Sequence, residues 1–110
     1  MPGYTPDAGD VVWLQFNPQA GHEQAGHRPA VVLSPATYNV KTGLMLCCPM
    51  TTQVKGYPFE VAIDGDSGVA LADQVKSLSW RVRRARKKGQ VSEQTLAGIR
   101  KLAITLLGGS

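Results

Sequence analysis

Residues 23–34 read Glu-Gln-Ala-Gly-His-Arg-Pro-Ala-Val-Val-Leu-Ser, a polar loop that leads directly into an apolar strand. The side chains with functional chemistry at the mouth of that strand are Glu23, Gln24, His27 and Arg28. Gly26 allows the backbone to approach a ligand closely, and Pro29 fixes φ where the strand starts, so the loop ends on a rigid element. Functional side chains concentrate on such anchored loops. Taken alone, the stretch is equally compatible with a surface ion pair between Glu23 and Arg28 beside a solvated histidine.

The length and composition describe one folded domain, residues 1–110. With 43% hydrophobic and 18% charged residues, the chain resembles an ordinary globular protein. Its longest apolar stretches, 30–33 and 44–48, are far shorter than the roughly 20 residues of a membrane helix. The first residues, Met-Pro-Gly-Tyr, have neither the basic nor the apolar region of a secretion signal. We therefore expect a cytoplasmic protein that does not contact a membrane.

The cysteines and histidines lack the spacing of a disulfide or metal site. Cys47 and Cys48 are adjacent in an apolar strand, where consecutive side chains point to opposite faces, so they cannot readily pair with each other. Small buried hydrophobic residues are the better interpretation. His22 and His27 are five residues apart with a glycine between them, unlike the i, i+4 pair of a zinc-protease helix. We expect no metal and no cofactor.

Positive charge is concentrated in one segment. Seven of the 12 basic residues lie within 76–88, which contains no acidic residue, whereas the remainder of the chain carries five basic and eight acidic residues. We define the basic cluster as Lys76, Arg81, Arg83, Arg84, Arg86, Lys87 and Lys88. Such a patch is typical of a protein that binds a polyanion, either a nucleic acid or an acidic protein segment. A sheet edge made soluble by its charges is the alternative.

Short strands dominate the predicted secondary structure. We predict strands at 11–16, 30–34, 44–50, 59–63, 69–72 and 74–80, with turns at 36–43 and 65–68. The alternation of the first strand is imperfect, which indicates burial on both of its faces.

One amphipathic helix is predicted near the C-terminus. Ser92 is a good N-cap, Glu93 stands in the first turn, and Gly108 is a C′ residue. The apolar residues at helical spacing, which we assign to core packing, are Leu96, Ile99, Leu102, Ala103 and Leu106. Strands covered on one face by a terminal helix predict a mainly β, α+β fold, a small antiparallel sheet or barrel.

A hydroxyl and an amide emerge where the strand at 44–50 ends, on Thr51 and Gln53. Alone, this is a turn signal. If this strand lies beside the strand that follows Arg28, the Thr51 hydroxyl and the Arg28 guanidinium meet. That juxtaposition would form an anion site.

Segments in order along nearly the whole chain resemble the MazF/PemK family of toxins. They are 9–13 (Gly-Asp-Val-Val-Trp), 23–34, 49–60 (Pro-Met-Thr-Thr-Gln-Val-Lys-Gly-Tyr-Pro-Phe-Glu) and 70–77 (Ala-Leu-Ala-Asp-Gln-Val-Lys-Ser). The resemblance implies a small SH3-like barrel that forms a homodimer and cleaves single-stranded RNA at short sequences without a metal. It also implies a toxin–antitoxin operon and a MazE-like antitoxin whose acidic tail occupies the RNA groove.

By the same resemblance, the family's essential arginine and threonine fall on Arg28 and Thr51. The implied reaction uses the RNA's own 2′-OH as nucleophile and yields a 2′,3′-cyclic phosphate and a 5′-OH. A guanidinium binds phosphate oxygens through two parallel hydrogen bonds, and the hydroxyl adds a donor to the same oxygens. Glu23 is the candidate that takes the 2′-OH proton, with His27 as the alternative, and Arg28 or water protonates the leaving oxygen.

Single-stranded RNA is recognised by stacking and by contacts to base edges. The predicted RNA-binding residues are Gln24, His27, Lys55, Tyr57, Gln74 and Lys76, with Lys55 at a phosphate. Simpler interpretations exist: Tyr57 as a packed turn aromatic, His27 as a hydrogen-bonded loop histidine, and both tryptophans as core or dimer interface. The arginine-rich segment 81–88 and the short turn at 64–67 depart from the family pattern.

Two other functions remain open on the sequence. The same barrel serves CcdB-type toxins, which bind DNA gyrase without doing chemistry and depend on an aromatic-containing tail, whereas this chain ends Leu-Leu-Gly-Gly-Ser. The other is a nucleic-acid-binding module with an inactive site.

Overall fold

The computed structural model describes residues 3–15 and 27–109, so the predicted site residues Glu23 and Gln24 lie outside the described residues. The described part forms seven strands and two helices. The strands are β1 (Asp10–Gln15), β2 (His27–Val32), β3 (Leu44–Thr51), β4 (Glu60–Ala62), β5 (Val69–Leu71), β6 (Lys76–Ser79) and β7 (Arg86–Gln90). The helices are α1 (Ala36–Thr42) and α2 (Glu93–Leu106).

The strands pair antiparallel in the order β4-β5-β3-β2-β1-β7, and β6 pairs with β3. Strand β3 organises the sheet: it pairs with β6 over its first half, with β2 over 47–49, and with β5 at Met50 and Thr51. The predicted α+β class is confirmed. The barrel is open rather than closed, since within residues 3–15 and 27–109 no pairing joins β7 to β4.

The central strands are buried on both faces, as the pattern of β1 predicts. Val11 and Cys48 belong to the apolar cluster that packs against α2, whereas Val12 and Cys47 belong to the cluster around Trp80. The two thiols are unpaired and lie on opposite sides of the sheet. Burial raises the pKa of each thiol to about 12, so neither is a reactive nucleophile at neutral pH.

Helix α2 begins and ends at the predicted caps. The Ser92 hydroxyl accepts a hydrogen bond from the Thr95 N–H at 3.1 Å. At the other end Gly108 adopts a φ of 94°, and its N–H donates to the Thr105 carbonyl at 3.0 Å. This left-handed residue satisfies a carbonyl of the last turn, as a glycine at C′ does.

The apolar stripe of α2 faces the core over most of its length. Ile99 and Ala103 are buried, Leu96 and Leu102 pack partly against them, and Leu106, predicted as core, is exposed. The prediction for Leu106 is wrong because burial along the helix ends at Ala103: the apolar side chains of Ile104, Leu106 and Leu107 are all exposed. Neither helix in the described ranges has the length and apolar character needed to span a bilayer.

The segment 36–43, predicted as a turn, forms the short helix α1. Its anchor is Asn39, whose side chain is fully buried. The Asn39 Nδ2 donates to the carbonyls of Pro6 at 2.8 Å and Ser34 at 3.0 Å, and its Oδ1 accepts from the Ser34 hydroxyl at 2.6 Å. The Asn39 carbonyl accepts from the Trp80 indole N–H at 2.8 Å. Two of these contacts join segments that are far apart in the chain, so a local sequence pattern does not predict them.

Strand β7 begins with the last three residues of the basic cluster, in a segment for which the sequence predicts no strand. Its residues, Arg-Lys-Lys-Gly-Gln, include no apolar side chain, and pairing with β1 imposes the extended conformation. Val11 pairs with Gly89 but Val12 pairs with Lys87, so Lys88 is the extra residue of a β-bulge.

Replacing Asn39 by alanine is expected to destabilise the fold by about 3 kcal/mol, because it leaves buried polar groups of Pro6 and Ser34 without partners. Chemical denaturation monitored by tryptophan fluorescence measures the change. The control is Thr42→Ala, which also removes side-chain hydrogen bonds but at an exposed position. Equal losses for the two variants would contradict the anchoring role of Asn39.

Candidate functional site

Arg28 and Thr51, predicted to meet if their strands are neighbours, are brought together by the sheet. Strands β2 and β3 pair with Ala30 opposite Pro49 and Val31 opposite Cys48. The same register continued by two residues sets Arg28 opposite Thr51. Both residues line each of two adjoining surface clefts.

The two clefts share four lining residues, Arg28, Met50, Thr51 and Gln53, and we name them together the groove. The first cleft, of about 570 Å³, is lined by Trp13, Arg28, Pro29, Met50, Thr51, Thr52, Gln53, Asp66, Gly68 and Lys88. The second, of about 300 Å³, is lined by Arg28, Pro49, Met50, Thr51, Gln53, Lys55, Tyr57, Phe59, Glu60, Leu71, Asp73 and Gln74. Because Arg28 and Thr51 belong to both, they occupy the middle of the groove.

Thr51 is held at the end of β3 with its hydroxyl oriented by a local turn. Its Oγ1 accepts a hydrogen bond from the Gln53 N–H at 3.1 Å. That bond uses a lone pair of the oxygen, so the O–H can be donated to an acceptor in the groove. Arg28 is exposed at the start of β2, where its guanidinium presents up to five donors. The pair can therefore bind a phosphate or another oxyanion.

The loop 52–59 is shaped by one carboxylate. The Glu60 side chain accepts hydrogen bonds from the N–H groups of Gly56 at 2.9 Å and Lys55 at 3.1 Å. Gly56 has a φ of 82°, a left-handed conformation that glycine adopts without strain. The Tyr57 ring stacks on Phe59 with centroids 5.2 Å apart, yet remains half exposed. Phe59 therefore supports the Tyr57 ring, and half of the Tyr57 side chain is open to solvent.

The structure brings most of the described predicted residues to the groove. Lys55, Tyr57 and Gln74 line the second cleft together with Arg28 and Thr51. His27, opposite Gln15 at the start of β2, and Lys76, opposite Cys47 on β6, are not among the lining residues of either cleft. His27 and Arg28 leave β2 on opposite sides because strand side chains alternate. Glu23 and Gln24 lie outside the described residues.

The groove residues that were not predicted as site residues include Trp13, Asp66 and Lys88. Trp13, predicted to lie in the core or at a dimer interface, is partly buried and lines the first cleft. Trp80, interpreted in the same way, is buried in the core. The sequence signal for Asp66 is the short turn at 64–67, which departs from the family pattern. The sequence signal for Lys88 is its place in the basic cluster.

Three members of the basic cluster make contacts outside the groove. Arg83 donates to a β1 carbonyl at 3.1 Å, Lys87 pairs with the buried Asp10 carboxylate at 3.6 Å, and Arg81 lies 4.7 Å from the centroid of an indole ring. Only Lys88 of the cluster is among the lining residues of the two clefts. The basic cluster therefore contributes one positive charge to the groove, although its seven basic residues are close together in the sequence.

The groove carries both signs of charge. Its bases are Arg28, Lys55 and Lys88, and its acids are Glu60, Asp66 and Asp73. The Gly68 N–H, and after it the Lys88 ammonium, lowers the pKa of the Asp66 carboxyl. Among residues 3–15 and 27–109, no three His, Cys, Asp or Glu side chains form a group that could hold a metal ion.

Comparison with known proteins relates the chain to toxins. The sequence profile of the PemK-like, MazF-like toxin of type II toxin-antitoxin systems matches residues 7–107. The chain is 59% identical over 107 residues to the endoribonuclease toxin MazF of Escherichia coli (strain K12), which covers 96% of each protein. It is 33% identical over 98 residues to the endoribonuclease toxin ChpB of the same strain, covering 82% of this chain and 84% of ChpB.

Solved structures agree with this relationship. A chain of the MazE-MazF crystal structure (form III) from Deinococcus radiodurans superposes with a TM-score of 0.89 at 54% identity, covering 97% of this chain and 100% of that one. Mycobacterium tuberculosis toxin MazF-mt6 superposes with a TM-score of 0.70 at 14% identity, over 92% of this chain and 98% of that one, which shows the fold alone. These matches do not favour the gyrase-binding alternative. The chain belongs to the PemK-like, MazF-like family of type II toxin–antitoxin toxins.

Proposed function

We propose that this chain is the toxin of a type II toxin–antitoxin system and an endoribonuclease that cleaves single-stranded RNA, chiefly mRNA, at specific short sequences, so that translation and growth stop. The observation that carries the proposal is the position of Arg28 and Thr51 where the two clefts join. A phosphate clamp in the middle of an open groove suits a polymer that runs through it. Similarity to the endoribonuclease toxins of E. coli supports the same activity.

In the proposed reaction the ribose 2′-oxygen attacks the adjacent phosphorus. The 2′-O–P bond forms as the P–O5′ bond breaks, which leaves a 2′,3′-cyclic phosphate and a 5′-OH. Arg28 and Thr51 donate hydrogen bonds to the nonbridging oxygens, where negative charge develops in the pentacoordinate transition state. A preorganised donor of this kind contributes on the order of 3 kcal/mol.

Two protons must move in this reaction. Glu23 takes the proton of the 2′-OH, an assignment that rests on the family resemblance. His27 lines neither cleft, which argues against His27 as the base. The leaving 5′-oxygen takes its proton from Arg28 or from water. No step requires a metal, because the substrate supplies the nucleophile.

The RNA strand follows the second cleft on one side of the scissile phosphate. Tyr57 stacks on a base of the RNA. The packing of its ring against Phe59 holds the ring in place for this contact. Lys55 contacts a phosphate, and Gln74 a base edge, in the same cleft. Gln24, His27 and Lys76 complete the set proposed from the family resemblance.

We further propose a MazE-like antitoxin as partner, a homodimer as the functional unit, and the cytoplasm as its location. The likeness to MazE-MazF structures supports the antitoxin. Exposed apolar side chains on α1 and β3 support a dimer: Tyr38, Val40, Leu44 and Leu46 are each 37–49% exposed.

The activity is tested with purified protein, long single-stranded RNA and EDTA, followed by sequencing of the ends. Discrete cuts that bear 5′-OH termini are expected, because attack by the 2′-OH leaves the 5′-oxygen unphosphorylated and uses no metal. Intact RNA together with gyrase-dependent DNA breaks would instead support the CcdB-type function. RNA binding without either product would support the inactive module.

The phosphate clamp is tested by Arg28→Ala and Thr51→Val. Each is expected to lower the cleavage rate more than about a hundredfold while the fold persists, because each removes a transition-state donor. Thr51→Ser, which retains the hydroxyl, should recover most of the loss, whereas Arg28→Lys should not, because lysine lacks the planar fork.

Arg81→Ala is the matched control, since it removes a guanidinium that lies over Trp80 rather than in the groove. A near-normal rate for Arg28→Ala, or an equal loss for Arg81→Ala, would remove Arg28 from the mechanism.

The homodimer is tested by light scattering coupled to size-exclusion chromatography. A mass twice that of the chain is expected, because association covers the exposed apolar side chains of α1 and β3. Leu46→Lys should shift the equilibrium toward the monomer. A monomer mass for the parent protein at every concentration tested would contradict the dimer.

A further inference from the structure

The first cleft contains an ammonium group that the proposed chemistry does not use. Lys88 Nζ lies 3.3 Å from Asp66 Oδ2 and 5.5 Å from the centroid of the Trp13 ring. All three residues line the cleft that contains Arg28 and Thr51. The Lys88 side chain keeps one-third of its surface exposed, at 33%. It is therefore held in the groove and still accessible.

The backbone aims Lys88 into the cleft. Lys88 is the extra residue of the β7 bulge, and bulges re-aim side chains next to functional sites. The adjacent residue, Lys87, instead pairs with Asp10 and lines neither cleft. The β-bulge thus gives the two adjacent lysines different surroundings: Lys87 pairs with Asp10, and Lys88 lines the first cleft.

The turn that carries Asp66 is docked against the end of β3. Asp66 Oδ1 accepts the Gly68 N–H at 2.9 Å, which fixes the carboxylate within its turn. A Cβ at Gly68 would stand 3.0 Å from the Thr51 carbonyl oxygen, so only glycine permits this approach without displacing the turn. Asp66 is consequently tied to the position of Thr51, the proposed catalytic residue.

We propose that Lys88 binds the phosphate of the RNA nucleotide next to the scissile linkage, and that Asp66 is a positioning residue that holds the Lys88 ammonium in the first cleft. The inference rests on the proposed function and extends it, because it continues the RNA path past Arg28 and Thr51 on the side away from Tyr57. A lysine ammonium has three N–H donors, so the bond to Asp66 leaves donors for a phosphate oxygen. A partly exposed ion pair contributes about 1 kcal/mol or less, so the incoming phosphate can share the lysine.

The Asp66 carboxylate would repel a phosphate if it acted alone. Its pairing with Lys88 offsets that charge and restricts a long, flexible side chain to the groove before RNA arrives. Preorganisation of this kind lowers the entropic cost of binding.

The test uses Lys88→Met and the matched control Lys87→Met, which removes the same charge from the adjacent residue. The probe is a fluorescein-labelled RNA oligonucleotide that contains a mapped cleavage site with a 2′-deoxy nucleotide at the cleaved position. Anisotropy titrations over a range of salt concentrations give the affinity and its salt dependence, and circular dichroism verifies each fold.

Lys88→Met is expected to reduce the slope of log K against log salt by about 0.7 and the affinity roughly fivefold at 0.1 M salt, the effect of one lost phosphate contact. The KM for cleavage should rise with little change in kcat, because the contact is made equally in the ground and transition states. Lys88→Arg should restore the slope. Lys87→Met should retain the parent slope, and equal slopes for Lys88→Met and Lys87→Met would overturn the proposal.

Asp66→Asn distinguishes positioning from simple repulsion. If Asp66 holds the lysine, Asp66→Asn weakens binding in the parent and does not weaken it in Lys88→Met. Stronger binding in both backgrounds would overturn the positioning role. A parent protein that does not cut RNA would refute the proposed function, whereas cutting with an unchanged salt slope for Lys88→Met refutes only the Lys88 contact.

Discussion

The antiparallel pairing of β2 with β3 is the constraint on which the candidate site depends. It sets Ala30 opposite Pro49. Arg28 and Thr51 each lie two residues beyond that pair and line the same two clefts. Where they pair, both strands are buried on both faces, and Val31, Cys47 and Cys48 are at most 1% exposed. A slip of one residue would turn every side chain to the other face and exchange the two apolar clusters. The packing that stabilises the sheet therefore also fixes the relative position of Arg28 and Thr51.

Local contacts shape the groove on each side of Arg28 and Thr51. On one side Glu60 organises the loop that carries Lys55 and Tyr57 through two backbone N–H groups. On the other side the close approach of Gly68 to β3 and the bulge of β7 bring Asp66 and Lys88 beside Thr51. Surface loops retain their shape only when their backbone polar groups find partners, so these contacts fix the two sides of the groove.

Charge density along the sequence and charge in the groove are different quantities here. The basic cluster is a continuous feature of the chain, yet its members diverge once the segment turns and pairs with β1. Arg83 binds a backbone carbonyl, Lys87 neutralises the buried Asp10, and Lys88 alone of the cluster lines the groove. A strand sends neighbouring side chains in different directions, so a run of like charges in a strand does not make a single patch.

Features that have local or periodic signals could be predicted from the sequence. The caps of α2 at Ser92 and Gly108, the two-sided burial of β1, the α+β class and the candidacy of Arg28 and Thr51 could all be predicted from it. Other features depend on contacts between distant parts of the chain: the helical form of 36–42, the strand at 86–90, and the presence of Lys88 and Asp66 in the groove. Helix α1 depends on hydrogen bonds from a buried asparagine to residues far away in the chain, and β7 has no apolar residue and is extended because β1 pairs with it. Such contacts join residues that are distant in sequence, and no local pattern encodes which partner will stand opposite.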